Sequence, residues 1–216
     1  MWVAKGIYRT LNTVLHQLRK MALAKLPNNG SQQKRPKNCR CKIVLRIFLN
    51  KKRGLMNISL IGMPGAGKST VGVVLAKQMG MQFIDTDILI QIREHATLEQ
   101  ILQQQGYLAL RAIEGQIIQQ LDVQNSVIAT GGSAVYNRGA MQNLQRLGKV
   151  VYLRVSPQQL SERLGDFAQR GIAAAATTSL VQLLEERIPL YEQYAQYTLD
   201  SEHCSIEQVA EKIALL

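Results

Sequence analysis

The chain has 216 residues and 46% hydrophobic side chains, enough for one domain or two small ones. No apolar run approaches the roughly 18 residues of a helical membrane span, so a soluble protein without such a span is expected. The net charge of +11 is unevenly spread: residues 1–55 hold 14 of the 26 Lys and Arg and no acidic residue, whereas the remainder holds 12 basic and 15 acidic residues, a net −3. A basic segment therefore precedes a mildly acidic body, and the overall pI says nothing about the body's partners. No nucleic-acid partner is expected for the body. Cys39, Cys41 and Cys204 form neither a disulfide framework nor a zinc spacing, so free thiols in a reducing compartment, the cytoplasm, are expected.

The basic segment opens with Val3, Ile7, Leu11, Val14, Leu18 and Met21 at helical spacing, interleaved with Lys5, Arg9, Arg19 and Lys20. Such basic, acid-poor helices occur in targeting segments and at membrane surfaces. A polar stretch over 27–41 reads as disordered. The alternative is that Met56 is the true start and residues 1–55 are an upstream translation. Either way the expected division is a basic extension, 1–55, and a folded domain, 56–216.

The domain alternates strand and helix. Strands are predicted at Asn57–Ile61, Gln82–Ile84, Ser126–Thr130, Val150–Arg154 and Tyr197–Leu199. Between them the periodicity predicts helices at Lys68–Met79, Thr86–Arg93, Leu98–Gln105, Tyr107–Leu121, Tyr136–Leu147, Pro157–Leu164, Ser179–Tyr194 and Ile206–Leu216. Gly165–Thr178 is a Gly/Ala-rich loop. This alternation predicts an α/β fold of parallel strands with helices on both faces.

The first strand runs into GMPGAGKST, which fits G-x-x-x-x-G-K-[ST] with Gly62, Gly67, Lys68 and Ser69 at the fixed points. Glycines here let successive N–H groups turn inward as an anion nest, and the following helix adds its positive end. Gly62, Gly65, Ala66, Gly67, Lys68, Ser69 and Thr70 are therefore expected to hold the phosphates of a nucleotide. Lys68 would reach the outer phosphates and the Ser69 hydroxyl would ligate Mg²⁺. FIDTD then places Asp85 and Asp87 at the carboxyl end of the second strand. Beside a magnesium nucleotide, one suits the metal and the other an acceptor hydroxyl, although either could cap the next helix. Gly131 and Gly132 end the third strand and allow a substrate to approach the backbone. Arg111, Arg163, Arg170 and Arg187 suit bidentate capture of carboxylate or phosphate. A loop starting with arginines suits a mobile lid that excludes water. Tyr107, Tyr191 and Tyr194 read as packing residues.

In order, GMPGAGKST, FIDTD, LRAIE, ATGG, VVYL and ERIPLY resemble the shikimate kinase family over 57–200. The resemblance implies a nucleoside-monophosphate-kinase-like, three-layer P-loop fold with a five-stranded parallel sheet and a lid. It implies transfer of the γ-phosphate of ATP to the 3-hydroxyl of shikimate, within aromatic amino acid biosynthesis. By position, Asp85 and Ser69 resemble the metal site, and Asp87 the residue holding the substrate hydroxyls. Arg111 and Arg187 resemble the pair gripping the substrate carboxylate, with Gly131 and Gly132 facing the substrate. Arg163 resembles the arginine near adenine, and Arg170 the lid arginine that joins Lys68 and Asp87 in catalysis. The chain departs from the family pattern at Ser133, where a third glycine is usual. It departs again at Gly171 and Ile172, where the lid usually reads Arg-Pro-Leu, and at Tyr107, where Glu commonly follows the glycine. All three changes lie near the acceptor or the lid. A monomeric kinase of a small hydroxylated acid is expected. Two other readings stay open: a kinase of another such acid, and a non-catalytic nucleotide-binding module tethered by its basic segment.

Overall fold

The computed structural model describes residues 56–164, 173–174, 178–202 and 204–216. The basic segment 1–55, Arg170, and most of the expected lid lie outside them.

Five strands form one sheet: β1 (Asn57–Ile61), β2 (Gln82–Asp85), β3 (Ser126–Ala129), β4 (Gly148–Arg154) and β5 (Tyr197–Asp200). Their order is β2-β3-β1-β4-β5, with every neighbouring pair parallel. Ile58 faces Val127 and Lys149, and Leu60 faces Ala129 and Val151, so β1 is flanked on both edges. β1 and β3 are buried throughout and β4 over Val150–Leu153, as expected of a sheet covered on both faces.

The helices are α1 (Lys68–Met79), α2 (Thr86–Glu94), α3 (Leu98–Gln120), α4 (Arg138–Leu147), α5 (Pro157–Leu164), α6 (Leu180–Tyr194) and α7 (Ile206–Ala214). From β1 the chain crosses through α1 toward the β2 edge; from β3 it crosses through α4 toward the β5 edge. Right-handed crossovers in opposite directions put α1 and α4 on opposite faces. α1 packs with α7, and α4 with α3. The two connections part outside the carboxyl ends of β1 and β3, where open sheets bind ligands.

Local sequence explains most boundaries. Thr97, Ser179 and Ser205 each form a capping box with the Gln three residues on, at α3, α6 and α7. Within α3, Gly106 has φ 81°, which divides the helix where the sequence predicts two. Asp85 caps α2, its Oδ1 accepting from Asp87 N at 3.0 Å. This resolves which of the two aspartates serves the backbone. The helix predicted from Tyr136 instead begins at Arg138. Asn137 caps it, accepting from Ala140 N at 3.0 Å, and Ala134–Tyr136 forms a 3₁₀ turn. β4 starts two residues earlier than predicted because Gly148 pairs with Asn57. The buried Asn57 side chain ties the sheet's lower end, donating to Val123 O at 2.7 Å and Leu147 O at 3.2 Å and accepting from Ser126 N at 2.9 Å.

Candidate active site

β1 ends in the phosphate loop. Gly67 has φ 88° and serves as the N-cap of α1, a left-handed geometry that favours glycine. No side chain caps this end, so the first amides of α1 are left for an anion. Lys68 is buried, and its Nζ donates back to Gly62 O at 2.9 Å and Met63 O at 2.8 Å. Burial lowers its pKa to about 8, although Asp87, Glu114 and Asp85 pull it up. Ser69 and Thr70 are exposed on the same turn and line the cleft. From α5, the exposed Arg163 extends Nη1 to Gly65 O at 3.5 Å, which places its guanidinium against this loop.

β3 delivers the opposite wall. Thr130 fixes the strand end to β1, with both its N and its Oγ1 donating to Leu60 O. Gly131 N donates to Thr86 Oγ1 at 3.0 Å. A Cβ on Gly131 would stand 2.5 Å from Glu114 Oε1 and 2.8 Å from Asp87 Oδ1. One on Gly132 would stand 2.6 Å from Pro64 Cδ and 2.9 Å from Arg187 Nη1. The two glycines thus admit protein side chains to the wall, a close approach that the sequence suggested only for a substrate. Tyr191 holds the turn: its OH donates to Gly132 O at 2.6 Å, and its ring stacks on Tyr152 at 5.0 Å.

Arg187 comes from α6, on the buried stripe of Leu183, Leu184 and Tyr191. It is completely buried. Nε donates to the Tyr136 hydroxyl at 3.1 Å and Nη2 to Ala173 O at 2.8 Å, while Nη1 has no partner among the described residues. Arg111, from α3, donates through Nε to the same Ala173 O at 3.0 Å. Its guanidinium lies 3.8 Å from the Tyr136 ring centre and 5.0 Å from that of Tyr107. The two arginines therefore converge on one carbonyl oxygen and one tyrosine. Arg187 lines the cleft directly; Arg111 reaches it through Ala173.

Glu114 and Tyr136 were not singled out from sequence. Glu114 is 2% exposed on α3; Oε2 accepts from the Ser133 hydroxyl, and Oε1 has no partner among the described residues. Burial pushes its carboxyl up to about 7, against the Ser133 bond, which lowers it. Asp87, in the first turn of α2, is also raised, first by burial and then by Asp85, while Lys68 lowers it. A signal for Glu114 existed. It lies among Leu110, Ile117 and Ile118, an acidic residue on an otherwise apolar helical stripe.

The result is one cleft of about 400 Å³ at the carboxyl ends of β1 and β3. The phosphate loop with Lys68 and Ser69 forms one wall; Asp87, Glu114, Gly131–Ser133 and Arg187 form the other. Among the described residues, no three His, Cys, Asp or Glu cluster to hold a metal by themselves. Nor is any described helix long and apolar enough to cross a membrane.

The model of the family described as shikimate kinase matches residues 64–215. Shikimate kinase 2 of Serratia proteamaculans is 33% identical over 161 residues, covering 72% of this chain and 92% of that one. The shikimate kinase of Francisella tularensis subsp. novicida is 35% identical over 162 residues, with 73% and 92% covered. Among solved structures, shikimate kinase from Acinetobacter baumannii in complex with shikimate superposes with a TM-score of 0.67 at 32% identity, covering 74% of this chain and 90% of that one. The enzyme from Aquifex aeolicus gives 0.65 at 30% identity, with 74% and 95% covered. The family model spans residues 64–215, and relatives more than 30% identical are covered along nearly their whole length: the chain belongs to the shikimate kinase family.

Proposed function

We propose that this kinase transfers the γ-phosphoryl group of ATP to the 3-hydroxyl of shikimate, with Mg²⁺ at Ser69 and Asp85. The observation that carries the reading is the meeting of Lys68, Asp87 and the fully buried Arg187 in one cleft. The Ala173 oxygen bonded by both Arg111 and Arg187 stands where a carboxylate oxygen of the acceptor would take its place. Arg187 Nη1, which has no partner among the described residues, supplies a further donor.

Gly62, Gly65, Ala66, Gly67, Lys68, Ser69 and Thr70 form the loop for the triphosphate, with Gly65, Gly67, Lys68, Ser69 and Thr70 lining the cleft and Arg163, the residue assigned to the nucleotide base, beside Gly65. Lys68 exchanges its two loop carbonyls for phosphate oxygens and neutralises charge that builds on the γ-phosphoryl group. Asp87 accepts the acceptor's hydroxyl proton as that oxygen attacks phosphorus in line and the bond to ADP breaks. Its raised proton affinity suits that task. Gly131 and Gly132 leave the space in which Asp87, Glu114 and Arg187 reach the acceptor. Arg170 is assigned to the lid and the phosphates from sequence alone. The Ser69 hydroxyl and the Asp85 carboxylate are hard oxygen donors, and Mg²⁺ needs only one or two from protein when phosphates supply others. When bound at Ser69 and Asp85, the ion would offset the negative charge of the phosphates.

One chain supplies every group named, which supports a monomer. The free thiol of Cys204 supports a cytoplasmic setting. The domain 56–216 holds the whole described site, so a chain beginning at Met56 should retain activity.

ADP release measured against a panel of hydroxy acids tests the reading. Shikimate should stimulate it most and gain phosphate at its 3-hydroxyl. Equal release with and without shikimate, or a clear preference for another acid, would refute it.

A further inference from the structure

Glu114 and Arg187 pose a physical puzzle. They are oppositely charged, buried, and set against successive glycines, Gly131 and Gly132, on one wall of the cleft. Each keeps one polar atom, Oε1 and Nη1, without a hydrogen-bond partner among the described residues. Two such groups left to themselves would pair, because an unpaired buried charge is costly. They do not: the ion pairs among the described residues are Arg93–Glu94 and Arg154–Asp200.

The group that intervenes is Ser133. Ser133 is 5% exposed, and its hydroxyl donates to Glu114 Oε2. The two oxygens of a carboxylate are equivalent until one is engaged. With Oε2 engaged by Ser133, Oε1 stands beside Gly131 on the wall of the cleft, and no ion pair to Arg187 forms among the described residues. Ser133 has φ −96° and ψ −2°, ordinary right-handed geometry, so the turn itself makes no demand on the residue type.

We propose that Ser133 is a positioning residue for the acceptor, holding Glu114 off Arg187 so that both stay free for the incoming hydroxy acid. The inference rests on the shikimate reading above. Arg187 Nη1 then takes the acceptor's carboxylate, and Glu114 Oε1 accepts from a hydroxyl other than the one phosphorylated. Without the Ser133 hydroxyl, Glu114 turns to Arg187, and the acceptor must break that pair before it binds.

The test is a double-mutant cycle of Ser133→Ala and Glu114→Gln in the full chain, with initial rates at varied shikimate and varied ATP. Ser133→Ala should raise KM for shikimate about tenfold, with kcat and KM for ATP within about twofold. In the Glu114→Gln background, where no carboxylate is available to pair with Arg187, the same change should add less than about twofold. An unchanged KM for shikimate in Ser133→Ala overturns the inference. So does an equal effect in both backgrounds, which marks a merely structural role, or a parallel rise in KM for ATP, which marks a disturbed fold. Wild-type enzyme that fails to phosphorylate shikimate overturns the underlying reading and the inference with it. Wild-type turnover with an indifferent Ser133→Ala overturns the inference alone.

Discussion

Replacing Arg187 with lysine separates charge from geometry at the acceptor's end of the cleft. The guanidinium has no exposed surface and spends its donors in three directions. Nε goes to the Tyr136 hydroxyl at 3.1 Å, Nη2 to Ala173 O at 2.8 Å, and Nη1, beside Gly132, has no partner among the described residues. A lysine keeps the positive charge but offers one ammonium on a flexible stem, which cannot hold Tyr136 and also receive a carboxylate bidentately. At least one charge-assisted hydrogen bond to the acceptor should be lost, worth about 1.5–3 kcal/mol. That corresponds to a rise of roughly 10- to 150-fold in KM for shikimate. The phosphate loop makes no hydrogen bond to Arg187, so KM for ATP should stay within about threefold. Coupled ADP-release rates at saturating ATP and varied shikimate read the first value, and the reverse titration reads the second. An unchanged KM for shikimate, or equal rises for both substrates, would refute the placement of the acceptor's carboxylate.

Three further outcomes follow from the same geometry. Lys68→Ala removes the cation between the phosphate loop and Asp87 and should abolish phosphoryl transfer; turnover near wild type in the coupled assay would contradict its role. Because burial lowers the Lys68 pKa to about 8 and only the protonated form attracts phosphate, kcat/KM for ATP should fall as pH rises through about 8. A profile flat to high pH would show that another group neutralises the phosphates. Asn57→Ala strands Val123 O, Leu147 O and Ser126 N at the sheet's lower end and should reduce stability by roughly 3 kcal/mol, lowering Tm by about 10 °C. An unchanged denaturation midpoint would mean that water replaces those bonds freely.

The phosphate loop was legible in the sequence because its chemistry is contiguous: spacing alone fixes where glycine, lysine and hydroxyl stand. The five strands were legible because a sheet covered on both faces needs short apolar runs, and Asn57–Ile61 and Ser126–Ala129 are such runs. The acceptor wall was only partly legible. Asp87 and Arg187 lie 100 residues apart, so their meeting depends on tertiary packing that no local pattern encodes; the family resemblance supplied it. Glu114 was passed over although it interrupts an apolar stripe on α3, since an isolated glutamate in a helix is usually a solvated one. Ser133 was read as a departure from glycine, but its bond to Glu114 joins two elements and appears only when β3 is laid beside α3. The role of Tyr136 in holding both arginines was invisible for a similar reason: it falls in a 3₁₀ turn that the sequence merged with the following helix.

The most direct measurement is a crystal structure of the enzyme with shikimate, Mg²⁺ and a non-hydrolysable ATP analogue. The acceptor's carboxylate should displace Ala173 O from Arg187 and Arg111, its 3-hydroxyl should bond Asp87, and that oxygen should stand about 3–3.5 Å from the γ-phosphorus. A carboxylate bound away from both guanidiniums, or a 3-hydroxyl out of reach of the phosphate, would contradict the account.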